Sequence, residues 1–132
     1  MKHIPNGARP SKQGAGSYFT GTAWQDEIND TPAPARVRVV KVRFEPGART
    51  VWHTHPFGQT LYVTEGLGLA RTEGGPLIEL RPGDTVWIPP GEKHWHGASP
   101  TTSMTHIAVH EVLDGKAAEW MEKVTDEEYA AK

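Results

Sequence analysis

The chain of 132 residues predicts an all-β fold, on three observations. Apolar and polar residues alternate at strand period, as in Val40, Val42 and Phe44 against Lys41 and Arg43. Short strand-like runs recur at close spacing. Pro-Gly pairs at 46–47, 82–83 and 90–91 divide them. Proline pre-sets φ for the second position of a tight turn, and glycine accepts the positive φ of the third. Many short strands joined by such turns argue for a sandwich or a barrel.

Taken in order, residues 1–17 are rich in Gly, Pro, Ser and Lys and read as a flexible N-terminal segment. Tyr18 to Trp24 reads as a first strand, and Asn29 to Ala35, with two prolines, as a loop. Val37 to Phe44 has one apolar and one wet face. Further strands are expected at Thr50 to His55, Gln59 to Thr64, Gly68 to Thr72, Leu77 to Leu80, Thr85 to Ile88 and Met104 to Val112. Residues 18–113 therefore form the barrel. Residues 114–132 change character: Lys116 to Lys123 is rich in helix formers. Thr125 to Glu128 fits a capping box. One or two short helices are expected there, packing Trp120, Met121 and Tyr129 on the barrel.

A chain of this length is one domain with a core that needs no staples. It has no cysteine, which excludes disulfides, a thiolate nucleophile and Cys-based metal sites. The net charge of −2 is interspersed, so no basic stripe points to nucleic acid. No apolar run reaches the roughly 20 residues of a membrane span, and no apolar leader is visible. The expectation is a soluble, cytoplasmic protein with a small-molecule substrate, no membrane partner and no nucleic acid. The tryptophans are expected in the core. Lys41, Arg43 and Arg49 are expected on a solvated strand face.

The chemistry concentrates in two places. His53, His55 and Gln59 stand at i, i+2 and i+6 in W-H-T-H-P-F-G-Q. Even spacing on extended backbone aims all three to one side. His94 follows in P-P-G-E-K-H-W-H. Imidazoles converging from two strands suggest a divalent transition metal, and the spacing alone leaves Mn, Fe, Ni and Zn all open. Three neutral imidazoles and a neutral amide leave the full +2 on such an ion, which favours Lewis-acid chemistry over redox chemistry.

Gly47 precedes His53 by six positions, and Gly66 follows Gln59 by seven; Gly83, Pro89, Gly91 and His94 keep a second regular spacing. Together these resemble the two cupin motifs, with Gln59 where the family has glutamate and Ala98 where it has asparagine. The resemblance implies a single-domain cupin β-barrel (a double-stranded β-helix or jelly roll), dimeric, with a metal in its mouth held by His53, His55, Gln59 and His94. The longer strings F-E-P-G-A-R-T-x-W-H-T-H-P and P-G-E-K-H-W-H-G-A are similar to the small manganese-dependent cupin hydroxynitrile lyases. That resemblance implies cleavage of a cyanohydrin to an aldehyde or ketone and hydrogen cyanide.

Met104, His106, Ala108 and His110 are alternate residues of one strand, and His96 shares parity with His94. His106 is the first choice for a general acid–base, with His96 and His110 as further candidates. Val40, Val42, Phe44, Thr50, Met104 and Ala108 are expected to line the substrate pocket. The competing readings are another metal-dependent cupin (a dioxygenase, isomerase or decarboxylase-associated protein) and a non-enzymatic cupin that binds a small molecule.

Overall fold

Alternation in the sequence becomes antiparallel pairing in the computed structural model, which describes residues 1–132. The strands are β1 (Lys12–Gln13), β2 (Phe19–Thr20), β3 (Ala23–Asp30), β4 (Val37–Phe44), β5 (Arg49–Thr50), β6 (His53–Thr54) and β7 (Gln59–Gly66). They continue as β8 (Gly68–Thr72), β9 (Ile78–Leu80), β10 (Thr85–Ile88), β11 (His94–Ala98), β12 (Met104–Glu111) and β13 (Glu119–Trp120), and one helix, α1 (Asp126–Ala130), follows. One sheet runs β1-β3-β4-β12-β7-β10. The other runs β13-β6-β11-β5-β2, with β8 also on β11 and β9 on β8. No helix is long and apolar enough to cross a membrane.

The interior is a ladder of facing side chains. Across β4 and β12, Phe44 faces Met104, Val42 faces His106, Val40 faces Ala108 and Arg38 faces His110. Their even spacing keeps all eight on one face. Phe44, Met104, Val63, Leu80 and Phe19 fill the closed end as one apolar cluster. The row therefore grades from apolar at Phe44 to ionisable at His110, and the polar chemistry lies toward the open end.

Four expectations need correction. Lys116 to Lys123 is not helical. Glu119–Trp120 pairs with His53–Thr54 as β13, and Met121 N–H donates to Trp52 O at 2.8 Å. Eight residues of helix former are too few to be stable alone, so an exposed strand edge wins. The capping box does form: Thr125 and Glu128 bond reciprocally and start α1. Arg49 is not solvated. It is 5% exposed, donates to Asp126 Oδ1 at 2.8 Å and Val124 O at 2.9 Å, and lies 4.5 Å from the Tyr129 ring centroid. It ties the C-terminal segment to the barrel. Residues 1–17, expected to be loose, include β1, which pairs with Trp24 and Gln25. Of the five tryptophans only Trp52 and Trp95 are core; Trp24, Trp87 and Trp120 are exposed.

Two glycines give a test of the packing. Gly66 has φ +82°, and a Cβ there would sit 1.8 Å from Ser103 O. Gly83 has φ +91° with open space around it. Gly66→Ala is expected to cost about 3 kcal/mol or more, because strain and a backbone clash add. Gly83→Asn is expected to cost about 1 kcal/mol or less. Chemical denaturation of the two variants checks the contrast.

Candidate metal centre

The tight turn at Pro46-Gly47 and the break at Val51–Trp52 place β5 and β6 against β11, so that His53 lies directly opposite His94. The His53 and His94 rings are 4.2 Å apart between centroids, His53 and His55 4.9 Å, and His55 and His94 5.5 Å. All three are buried, as is Gln59 at the start of β7.

Backbone carbonyls set the protonation of these rings. His53 Nδ1–H donates to Val51 O at 2.8 Å, His55 Nδ1–H to Ala117 O at 2.8 Å, and His94 Nδ1–H to Glu92 O at 2.9 Å. A carbonyl only accepts, so each ring carries its hydrogen on Nδ1 and keeps a lone pair on Nε2. Gln59 Nε2–H donates to His110 Nδ1 at 3.3 Å, which leaves the Gln59 Oε1 as the free end of the amide. His55 Nε2, His94 Nε2 and Gln59 Oε1 are buried with no hydrogen-bond partner. Several unpaired acceptors buried together are costly unless something binds them. These neutral donors fit a divalent transition-metal ion.

His96 complicates the donor set. Imidazole nitrogens of His53, His94 and His96 lie within 4.8 Å of one another. However, His96 lacks a backbone acceptor; its Nδ1 meets His106 Nε2 at 3.0 Å. Two neutral imidazoles in contact share one hydrogen. If His106 donates, His96 carries its own hydrogen on Nε2 and has no lone pair there. If His96 donates, its Nε2 is free. The pair therefore has two tautomers, whereas His53, His55 and His94 have one each.

Burial lowers every imidazole pKa in the cluster. His94, His106 and His110 fall to about 4, with burial the chief cause in each. Burial also holds His53 and His96 well below the usual histidine range, and neighbouring imidazoles add to the effect. His55 is also lowered by burial, against the opposing effect of its Nδ1–H bond to the Ala117 carbonyl. All six are neutral near pH 7, the state that metal ligation requires.

A cavity of about 80 Å³ opens beside this cluster. Of the expected pocket residues, Val40, Val42, Phe44, Thr50 and Ala108 line it, together with His96, His106 and His110. Met104 does not reach it. Its side chain turns under Gly68, where a Cβ would sit 2.7 Å from the Met104 Cγ. Thr50 Oγ1 accepts the His96 backbone N–H at 3.2 Å. Sequence reasoning missed β11 as a strand, and with it the register that sets His94 opposite His53. It also missed Trp120, which lies 4.9 Å from His53 between ring centroids. The even spacing of His94 and His96 was a visible signal for the first. The second had none, because Trp120 sits in a run of helix formers.

Residues 40–110 match the cupin domain family. The chain is 59% identical over 123 residues to a (R)-mandelonitrile lyase of Granulicella tundricola, covering 93% of this chain and 94% of that protein. Among solved structures, a cupin-like protein of Thermotoga maritima is 41% identical with a TM-score of 0.86, over 96% of this chain and 95% of that one. The polyketide cyclase RemF of Streptomyces resistomycificus, at 21% identity and a TM-score of 0.72, covers 98% of this chain and 90% of its own and shares the fold.

The lowered imidazole pKa values predict how stability depends on pH. The unfolded histidines titrate near 6.5, while His94, His106 and His110 in the folded protein resist protonation down to about 4. The unfolded chain therefore binds more protons inside that window. Stability is fully present above about 6.5 and is lost as pH falls toward 4. Thermal unfolding of metal-free protein should show Tm falling steadily from pH 7 to pH 4.5; a flat profile contradicts the assignment.

Proposed function

The chain belongs to the cupin family, and we propose that it is a metal-dependent lyase that cleaves and forms cyanohydrins. The observation that carries this reading is a buried set of uncharged donors with an imidazole pair at its side. The 59% identity to a mandelonitrile lyase supports the reaction class. His53, His55 and His94 through Nε2, and Gln59 through Oε1, would hold the ion, because the three imidazoles share fixed Nδ1–H bonds that His96 lacks. Manganese is the ion implied by the resemblance to the lyases. When bound, the ion supplies Lewis acidity that eases loss of the substrate hydroxyl proton.

The protein's own groups manage the proton. Cleavage moves one proton from the hydroxyl oxygen to the departing cyanide, while the carbon–carbon electron pair leaves with cyanide and the oxygen becomes a carbonyl. His96 and His106 stand in series, 3.0 Å apart, and both line the cavity. Neutral at pH 7, the pair accepts the hydroxyl proton and returns it to cyanide. Its two tautomers let a proton enter at one ring and leave at the other. His106 is fully buried against Phe44 at a centroid distance of 5.4 Å, so bulk water does not compete for the proton. His110 holds the Gln59 amide in its working orientation. Val40, Val42 and Ala108 give the reacting carbon an apolar wall.

Mandelonitrile cleavage, followed as benzaldehyde release, tests this function. Manganese-loaded protein is expected to be active, and His94→Ala to be inactive with little bound metal. His106→Ala is expected to keep its metal and lose about 10²–10⁴ in kcat, the usual worth of a placed acid–base group. Oxygen consumption without aldehyde release would instead favour a dioxygenase.

A further inference from the structure

Arg38 continues the row of Val40, Val42 and Phe44 toward the open end of the barrel. It lies directly opposite His110 across β4 and β12, and His110 lies opposite Gln59 across β12 and β7. Neighbouring strands are ~4.8 Å apart, so the backbones of Arg38 and Gln59 are separated by roughly 10 Å. A guanidinium therefore stands at the lip of the metal-centre cavity, only one strand beyond His110. Its Nε donates to Glu27 Oε1 at 2.8 Å. Its two terminal nitrogens make no hydrogen bond to the protein, and the side chain is 34% exposed.

Beyond that lip lies a second cavity of about 430 Å³, formed where residues 2–12 cross β3 and β4. Gln25, Arg38 and Val40 line both spaces, so the two cavities are adjacent, with these side chains between them. The inner space of about 80 Å³ is smaller than the ~150 Å³ of a cavity that accepts benzene. It has room for a reacting carbon with its oxygen and nitrile, and the rest of a substrate must extend outward. The outer wall carries Lys2, Arg9, Lys12 and Arg38 against Glu27 and Asp30. The only ion pair among these six joins Arg38 to Glu27, which leaves Lys2 and Lys12 without a carboxylate partner.

We propose that the substrate of this protein carries a carboxylate, bound at the free edge of Arg38 in the outer cavity while its hydroxyl and nitrile occupy the inner one. A guanidinium edge matches the two oxygens of a carboxylate, and Lys12 adds positive field on the same wall. Glu27 offsets part of the Arg38 charge, which suits a single negative charge better than a dianionic phosphate. The substrate class is then a carboxylate-bearing aldehyde or ketone and its cyanohydrin. This assignment rests on the lyase reading for the chemistry of the inner cavity, and on Arg38 for the direct contact with the carboxylate.

Calorimetric titration of the manganese-loaded protein with 4-formylbenzoate and with 4-formylbenzamide tests it, since the two probes have nearly the same shape and differ by one charge. The carboxylate is expected to bind about tenfold more tightly, the equivalent of one charge-assisted contact at a partly exposed site. Added salt should narrow the gap. Arg38→Met should close it, and Arg38→Lys should retain part of it. Equal affinities, no measurable binding of either probe, or a gap that survives Arg38→Met overturns the proposal. Mandelonitrile has no carboxylate, so its cleavage is scored separately. Failure to cleave it, with the affinity gap intact, counts against the lyase reading and leaves the anion site standing.

Discussion

Three hydrogen bonds to backbone carbonyls govern this site. Val51, Glu92 and Ala117 each take the Nδ1 hydrogen of one imidazole, and so each turns an Nε2 lone pair into the same buried space. A side chain in that role could rotate or titrate. A backbone carbonyl cannot titrate, and these three lie in short connections, each within two residues of β6, β11 or β13, which limits how far they can turn. Val51 and Glu92 lie two residues before the histidines they hold. Ala117 is 62 residues from His55, and the contact exists because the C-terminal segment lies across the barrel wall.

That segment has a structural role beyond covering an edge. β13 pairs with the strand that carries His53, and Trp120 packs against the His53 ring and stacks on Tyr18 at 4.5 Å. Farther on, Arg49 reaches from the barrel to Asp126 and the Val124 carbonyl beneath Tyr129, and Tyr129 O–H donates to Ala98 O at 2.6 Å. The last strand and helix thus form a strap, anchored at both ends, which packs on the His53 ring through Trp120 and walls the cavity. Its energetic logic is tertiary: neither piece is long enough to hold its own conformation.

Much of this was legible in the sequence. The alternation from Val37 to Phe44 gave the lumen row correctly, because period-two burial needs no knowledge of partners. The even spacing of His53, His55 and Gln59 and the Pro-Gly turns pointed to strands for the same local reason, although the expected strand breaks at Val51–Trp52 and His55 lies just past β6. Met104 shares that parity but was misplaced. Its long side chain fills the space over Gly68 instead of the cavity, a packing outcome that spacing cannot show. The helix expected over Lys116 to Lys123 failed because intrinsic preference is weaker than a waiting strand edge. Arg49 reads as a surface charge in any local window, and only the distant Asp126 and Tyr129 make its burial tolerable. The partnership of Arg38 with His110 depends on register between strands about seventy residues apart and left no local trace.

The neutrality of the cluster ties these features together. Burial keeps six imidazoles uncharged, Gln59 adds a neutral amide, and Arg38 stands at the lip and not among the donors. Nothing inside competes with a cation for the free lone pairs. The most direct measurement is an anomalous difference map from crystals grown with manganese and recorded at the manganese edge. One strong peak bounded by Nε2 of His53, His55 and His94 and Oε1 of Gln59 is the predicted result. An interior without a peak, or a peak held by His96 in place of His55 and Gln59, would contradict the account.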